Sequence, residues 1–337
     1  MCGLKRAFLS FPASLDIPGS LSFLSRNGDD YLDRWDGERW VRTVTTGDRN
    51  IPFSCRQRGT IRAPRVEVLA DTEDLTTVLE AAKISFISPG RGFSTLLRKD
   101  PVLSTLNRRF PGIRQVRQFD LFYGLLRAIS AQQINLKWAT VLRRRLAEAY
   151  GEKLSVGEDF VYSLRPVVVA AARMQDLRAL QFSARKAESL LAVSEALAGG
   201  RLTQEDLAEM EDSEAIKTLV SLRGIGTWSA EWILVRCLGR SRVVAGDLGV
   251  RKAVAIAYLG EEIAAEDQVR RTVAHWGVHA TAAQAILLYA YAEKALVRKL
   301  KARQNGSISE AESRVTPMRP EMKRRPRQVT VSGGVSF

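Results

Sequence analysis

The stretch "SLRGIGTWSAEWILVRC", residues 221–237, limits the architecture of this chain more than any other. Glycine is the poorest ordinary residue in a helix interior, yet "SEAIKTLVSL" before the turn and "WSAEWILVRCLG" after it both carry helical apolar spacing. The reading is helix, glycine hairpin, helix, over about residues 213–238. Gly224 and Gly226 offer backbone angles closed to other residues and room for a close approach. Thr227 is expected as the N-cap of the second helix. Small glycines, free amides and a helix N-terminus together make a seat for a phosphate oxygen. A plain helical hairpin that happens to use Gly-x-Gly has the same pattern, and the turn alone does not separate the two.

Charge is compatible with the first reading and equally with a merely soluble basic protein. Lys and Arg number 51 against 37 Asp and Glu, a net charge of +14, which points to a polyanionic partner. Residues 301–337 hold eight Lys/Arg and three Asp/Glu, so +5 sits at the end and +9 in the rest. Cys2, Cys55 and Cys237 are too few and too scattered for a CxxC zinc site or a four-cysteine iron–sulfur cluster. His275 and His279 stand at i, i+4 with no HExxH carboxylate between them, so no metal is expected there. No run approaches the ~18 apolar residues of a membrane span. The N-terminus has no secretory pattern, and a cytoplasmic, DNA-associated location is expected, with no membrane partner.

Residues ~15–70 read as short strands and turns, including "RWVRTVTT" and "RVEVLA", followed by a helix in "DTEDLTTVLEAAKISF". An N-terminal α+β domain with an antiparallel sheet is expected over residues 1–112. From Phe119 the pattern is helix after helix: "DLFYGLLRAI", "LKWATVLRRRLAEAYG" ending at Gly151, and "SARKAESLLAVSEALAGG" capped by Ser183. The fold class is therefore mostly α, with a helical body over 113–303 and a basic tail over 304–337.

After Gly226 comes "VVAGDLGVRK", where Asp247 stands at the N-cap of the next helix. Asp is a common and stabilising cap. The same position faces the positive end of the helix dipole and suits a carboxylate meant to meet a developing cation. "LRGIGTWSAEWILVRCLGRSRVVAGDLGVRKAV" resembles the helix-hairpin-helix motif, and the aspartate that follows it, of the DNA base-excision glycosylases. "PGIRQVRQFDLFYGLLRAISAQQINLKWATVLRRRLAEAYG" and "HWGVHATAAQAILLYAYAE" are similar to helices of the DNA-3-methyladenine glycosylase II branch. The similarity spans roughly residues 15–300, and the hairpin with its aspartate is its specific part.

The resemblance implies two helical lobes and a monofunctional glycosylase of base excision repair. Such an enzyme flips an alkylated purine such as 3-methyladenine or 7-methylguanine out of double-stranded DNA and leaves an abasic site. Asp247 would be the catalytic residue, stabilising the cationic sugar. Gly224, Ile225, Gly226, Thr227 and Ser229 would hold DNA, with Gln133 as the wedge that replaces the flipped base and Gln132 as its neighbour. Trp228 and Trp232 would stack on the base, with cation–π attraction for a cationic purine. Family members that also nick the strand carry a lysine where this chain has Trp228, so strand cleavage is not expected. No cofactor is required. The family suggests only a monovalent cation at the carbonyls of Leu222 and Ile225, and a monomer is expected.

Two positions depart from the pattern. Leu248 stands where an aromatic is expected and His279 falls near the place of a pocket tryptophan, while Phe122, with Tyr123, is a candidate for the missing aromatic surface. These leave the catalytic assignment alone and open the substrate range. A glycosylase for oxidised or deaminated purines, or a non-catalytic DNA-binding protein, shares most of these features.

Overall fold

The computed structural model describes residues 3–47 and 49–296. Cys2 and the expected basic tail at 304–337 lie outside them. Strands β1 (Leu4–Ser10), β2 (Asp33–Trp35), β3 (Arg39–Thr46), β4 (Arg49–Gln57) and β5 (Arg65–Asp71) form an antiparallel sheet in the order β1-β5-β4-β3-β2. Alternation in β5 buries Val66, Val68 and Ala70 on one face. Helices α1 (Ile17–Asn27) and α2 (Leu75–Ile84) cover the sheet through Ile17, Leu21 and Val78, which pack with Trp40 and Phe53.

Helix α1 falls where strands and turns are expected. Its turn-like residues are end signals. Asp16 caps it by accepting from Gly19 N at 2.9 Å, Pro18 occupies the first turn, and Gly28 leaves it at φ +95°.

The short strands β6 (Phe86–Ile87) and β7 (Gln115–Val116) pair, and between them run α3 (Phe93–Lys99) and α4 (Pro101–Arg109). The helical body contains α5 (Leu121–Ala131), α6 (Leu136–Tyr150), a hairpin of β8 (Glu152–Val156) and β9 (Asp159–Ser163), then α7 (Pro166–Ala170), α8 (Met174–Ala179), α9 (Ala184–Ala198) and α10 (Gln204–Glu209). It ends with α11 (Asp212–Val220), α12 (Thr227–Arg236), α13 (Leu248–Val254), α14 (Glu266–Thr272) and α15 (Ala280–Ala292). The β8–β9 hairpin interrupts the expected run of helices. Its Val156 and Val161 pack on Val41 of the sheet.

The helices divide into two cores. One joins Leu125, Ile129, Leu142, Leu190, Leu219, Ile225 and Ile233. The other joins Val250, Val254, Trp276 and Ile286 with Phe93, Leu96, Leu103 and Leu106. By packing, α3 and α4 therefore belong with the C-terminal helices, not with the sheet, although they lie within the expected 1–112 domain.

A buried ion cluster fixes the sheet region to the first lobe. Asp30, in the loop between α1 and β2, accepts from Arg127 of α5 at 2.9 Å and from Arg143 of α6 at 2.7 Å. Burial pushes its carboxyl up, and the two guanidiniums outweigh that and hold it below the usual carboxylate range.

Candidate active site

The hairpin connects α11 to α12. Ile225 N donates to Leu222 O at 3.1 Å, and the Ile225 side chain, 4% exposed, pins the turn into the first core. Gly224 is required twice over. It stands at φ +80°, and a Cβ there would lie 1.9 Å from Ser189 Oγ on α9. Gly226 differs from expectation: its backbone is ordinary extended chain (φ −98°, ψ 176°), and a Cβ would meet nothing within 4 Å. The N-cap is Gly226, not Thr227, and no side chain caps α12. Thr227 is instead the exposed first residue of the helix. The first-turn amides of α12 thus lack both intrahelical acceptors and a side-chain cap, beside an open space where a side chain would otherwise stand.

The C-terminal end of α5 braces this turn. Gln132 Nε2 donates to Gly224 O at 2.9 Å and to Ser229 Oγ at 3.4 Å. Ser229 is 1% exposed, so its hydroxyl faces inward and offers nothing to an external ligand. Gln133 is the opposite case, exposed and held at φ +54°, a strained angle for a residue with a side chain. Lys186 of α9 donates to Ser130 O at 2.7 Å beneath the same segment, and burial pulls its ammonium down to about 8.

Asp247 stands across from the hairpin at the start of α13. Its Oδ1 accepts from Val250 N at 3.0 Å as an N-cap, and its Oδ2 accepts from the Trp228 indole N–H at 3.3 Å. The cap and the site-facing group are therefore the same carboxylate, divided between its two oxygens. Trp228 and Trp232 are both half-buried on one face of α12. Arg236 continues that stripe one turn on, with its guanidinium carbon 5.3 Å from the Trp232 ring centre and 5.8 Å from the Phe23 ring of α1.

Of the other expected pocket residues, Leu248 stays with Asp247, whereas Phe122 and His279 make their contacts elsewhere. Phe122 is 1% exposed in the first core and presents no face outward. Leu248 is 55% exposed beside Asp247. His279 makes its contacts elsewhere, with Nδ1 2.8 Å from Pro89 O and its ring edge-on to Phe93. Of the two carbonyls considered for a cation, that of Leu222 accepts the Ile225 amide. Among the described residues no group of three or more His, Cys, Asp or Glu is placed to hold a metal ion.

Sequence reading missed Phe23, which stands on the unexpected α1, and Arg236. The latter had a visible signal, since 228, 232 and 236 share one helical face. It also missed Glu231, fully buried on α12. Glu231 accepts from Arg242 Nε at 3.0 Å and Arg270 Nη2 at 2.8 Å, tying α12 both to the segment before Asp247 and to α14.

Residues 126–277 match the family model described as the HhH-GPD superfamily base excision DNA repair protein. The DNA-3-methyladenine glycosylase of Bacillus subtilis (strain 168) is 32% identical over 147 residues, 43% of this chain and 48% of the relative. DNA-3-methyladenine glycosylase 2 of Escherichia coli (strain K12) is 33% identical over 134 residues, 40% of this chain and 47% of the relative. The chain thus spans about half the length of these curated relatives. In fold, the 3-methyladenine DNA-glycosylase from Archaeoglobus fulgidus superposes with a TM-score of 0.75 at 24% identity, over 86% of this chain and 100% of that one. Residues 126–277, which carry the hairpin and the aspartate, are thus similar to the HhH-GPD superfamily of base excision DNA repair proteins, and two of the chain's sequence relatives are named DNA-3-methyladenine glycosylases.

Proposed function

We propose that this protein is a monofunctional DNA glycosylase that removes damaged purines, alkylated ones included, from duplex DNA and leaves an abasic site. The observation that carries the reading is the meeting of Asp247 with Trp228. It sets the carboxylate beside the half-buried Trp228 indole and next to a helix start suited to phosphate. The names of the sequence relatives support the alkylated class.

In this reading the amides at Gly226–Trp228 receive a backbone phosphate, and the open space at Gly226 lets the strand come close. Gln133, exposed beside the braced turn, fills the gap left by the extruded nucleotide. The base stacks against Trp228 and Trp232. As the glycosidic bond breaks, its electron pair leaves with the base and positive charge gathers on the sugar facing Asp247. Water then adds to the anomeric carbon, and its proton passes to the departed base where that left as an anion, or to solvent where it left neutral. Trp228 has no amine with which to form a Schiff base, so the strand stays intact. The reaction needs no cofactor.

The test is incubation with methylated duplex DNA, followed by analysis of freed bases and of strands with and without alkali. Freed purines and breaks that appear only after alkali or heat are expected. DNA binding with no base released from any lesion contradicts the proposal and leaves a non-catalytic DNA-binding protein.

A further inference from the structure

We propose that Arg236 is a specificity-determining residue of the base-binding face: its fixed positive charge against Trp232 disfavours purines that carry a ring cation and favours neutral ones. This rests on the glycosylase reading and narrows its substrate class.

Trp228, Trp232 and Arg236 lie one turn apart along the same face of α12. The guanidinium packs between the rings of Trp232 and Phe23. Its Nη1 donates to Val116 O at 3.1 Å. With the Gln115 amide oxygen turned toward it, Nε and Nη2 each donate at 2.9 Å. Those partners are all neutral. Among the described residues no carboxylate forms an ion pair with Arg236; Asp247 acts on it only at longer range. Burial pulls the guanidinium down to about 10, with Arg127 adding to the fall and Asp247 opposing it, so it stays charged at neutral pH.

An indole attracts a cation through the negative face of its ring. On Trp232 that attraction is already engaged by the chain's own guanidinium. A cationic purine stacked on the remaining indole surface would hold its charge roughly 9 Å from the first, and at an effective dielectric of about 20 to 30 the repulsion is worth on the order of tenfold. A neutral purine meets no such repulsion; because the bond's electron pair moves onto the base in either case, Arg236 assists both departures alike, and the discrimination lies in admitting the base to this face. Cationic alkylated purines are then removed on the strength of their weak glycosidic bonds, not because this face holds their charge.

The test compares single-turnover release at subsaturating enzyme, read as the second-order rate constant, of 7-methylguanine, a cation in DNA, and of hypoxanthine, which is neutral, from matched duplexes. Arg236→Met is expected to raise the ratio of cationic to neutral release about tenfold, and Arg236→Lys to leave it within about threefold of the parent. If Arg236→Met does not fold, as judged by circular dichroism, Arg236→Gln replaces it. A measurement on the unaltered protein stands beside these: tryptophan quenching by 7,9-dimethylguaninium and by 9-methylguanine, with the neutral compound expected to bind more tightly. An unchanged ratio in the neutral variants, or tighter binding of the cation, overturns the assignment of Arg236. Absence of release from both duplexes by the unaltered protein contradicts the glycosylase reading instead.

Discussion

Replacement of Gly224 by alanine tests the hairpin geometry directly, because two independent penalties meet at one atom. At φ +80° an L-residue costs about 1–2 kcal/mol. The added Cβ lies 1.9 Å from Ser189 Oγ and 2.7 Å from Ser189 Cβ, so rotating the hydroxyl away does not relieve the contact. That hydroxyl is also 2.8 Å from Arg185 O in a residue only 1% exposed. Overpacking of this kind costs about 1–3 kcal/mol, for a total of roughly 2–5 kcal/mol. Urea denaturation reads it. Gly226→Ala is the control: with extended backbone and open space, its stability is expected to stay within about 1 kcal/mol while DNA affinity falls. Combining Gly224→Ala with Ser189→Gly should recover about 1 kcal/mol or more relative to additivity. Equal stability of the two single alanine variants would refute the close approach of α9 to the turn.

Other expectations follow from single contacts. Trp228→Phe keeps an aromatic face but removes the indole donor at 3.3 Å from Asp247, and base release is expected to fall about tenfold with stability changed by about 1 kcal/mol or less. Gln133→Gly relieves a φ of +54° and should leave stability unchanged or raised by up to about 1 kcal/mol, while base release falls; equal release would remove the wedge role. Lys186 is held at about 8 against 10.5 for the free side chain. Between those values the unfolded chain keeps the proton and the folded one has lost it, so this group's contribution to stability rises with pH across that window. The gain approaches about 3 kcal/mol, and Lys186→Met should abolish it in urea midpoints compared at pH 7.5 and pH 10.

Much of the frame is visible in the sequence because local chemistry decides it. Ser183 and Asp247 each cap the helix expected of them, and the structure adds Asp120 and Asn135 as caps of α5 and α6. Helix α1 is less visible, since Pro18 and Gly28 look like turn residues until their places at its ends are known. The Thr227 cap fails because a threonine beside a Gly-x-Gly turn looks the same whether it stands before the helix or within it. For the site, the glycine turn and the Asp247 cap are legible in the residues of one stretch of chain, and the roles of Asp247 and Trp228 come from the resemblance which that stretch carries. Phe23 and the buried Phe122 are not, because burial is set by packing between elements distant in sequence. Arg236 lies between these cases: its helical face is legible, whereas its neutral partners Val116 and Gln115 are known only from the fold.

The central claim is that Asp247 performs chemistry in addition to capping α13. Asn is also a good cap, so Asp247→Asn keeps the Val250 amide bond and the helix while removing the charge. Single-turnover release from methylated duplex DNA is expected to fall by about 10²–10³, with DNA affinity and urea midpoint close to those of the parent. Release at the parent rate by a folded Asp247→Asn protein contradicts the account.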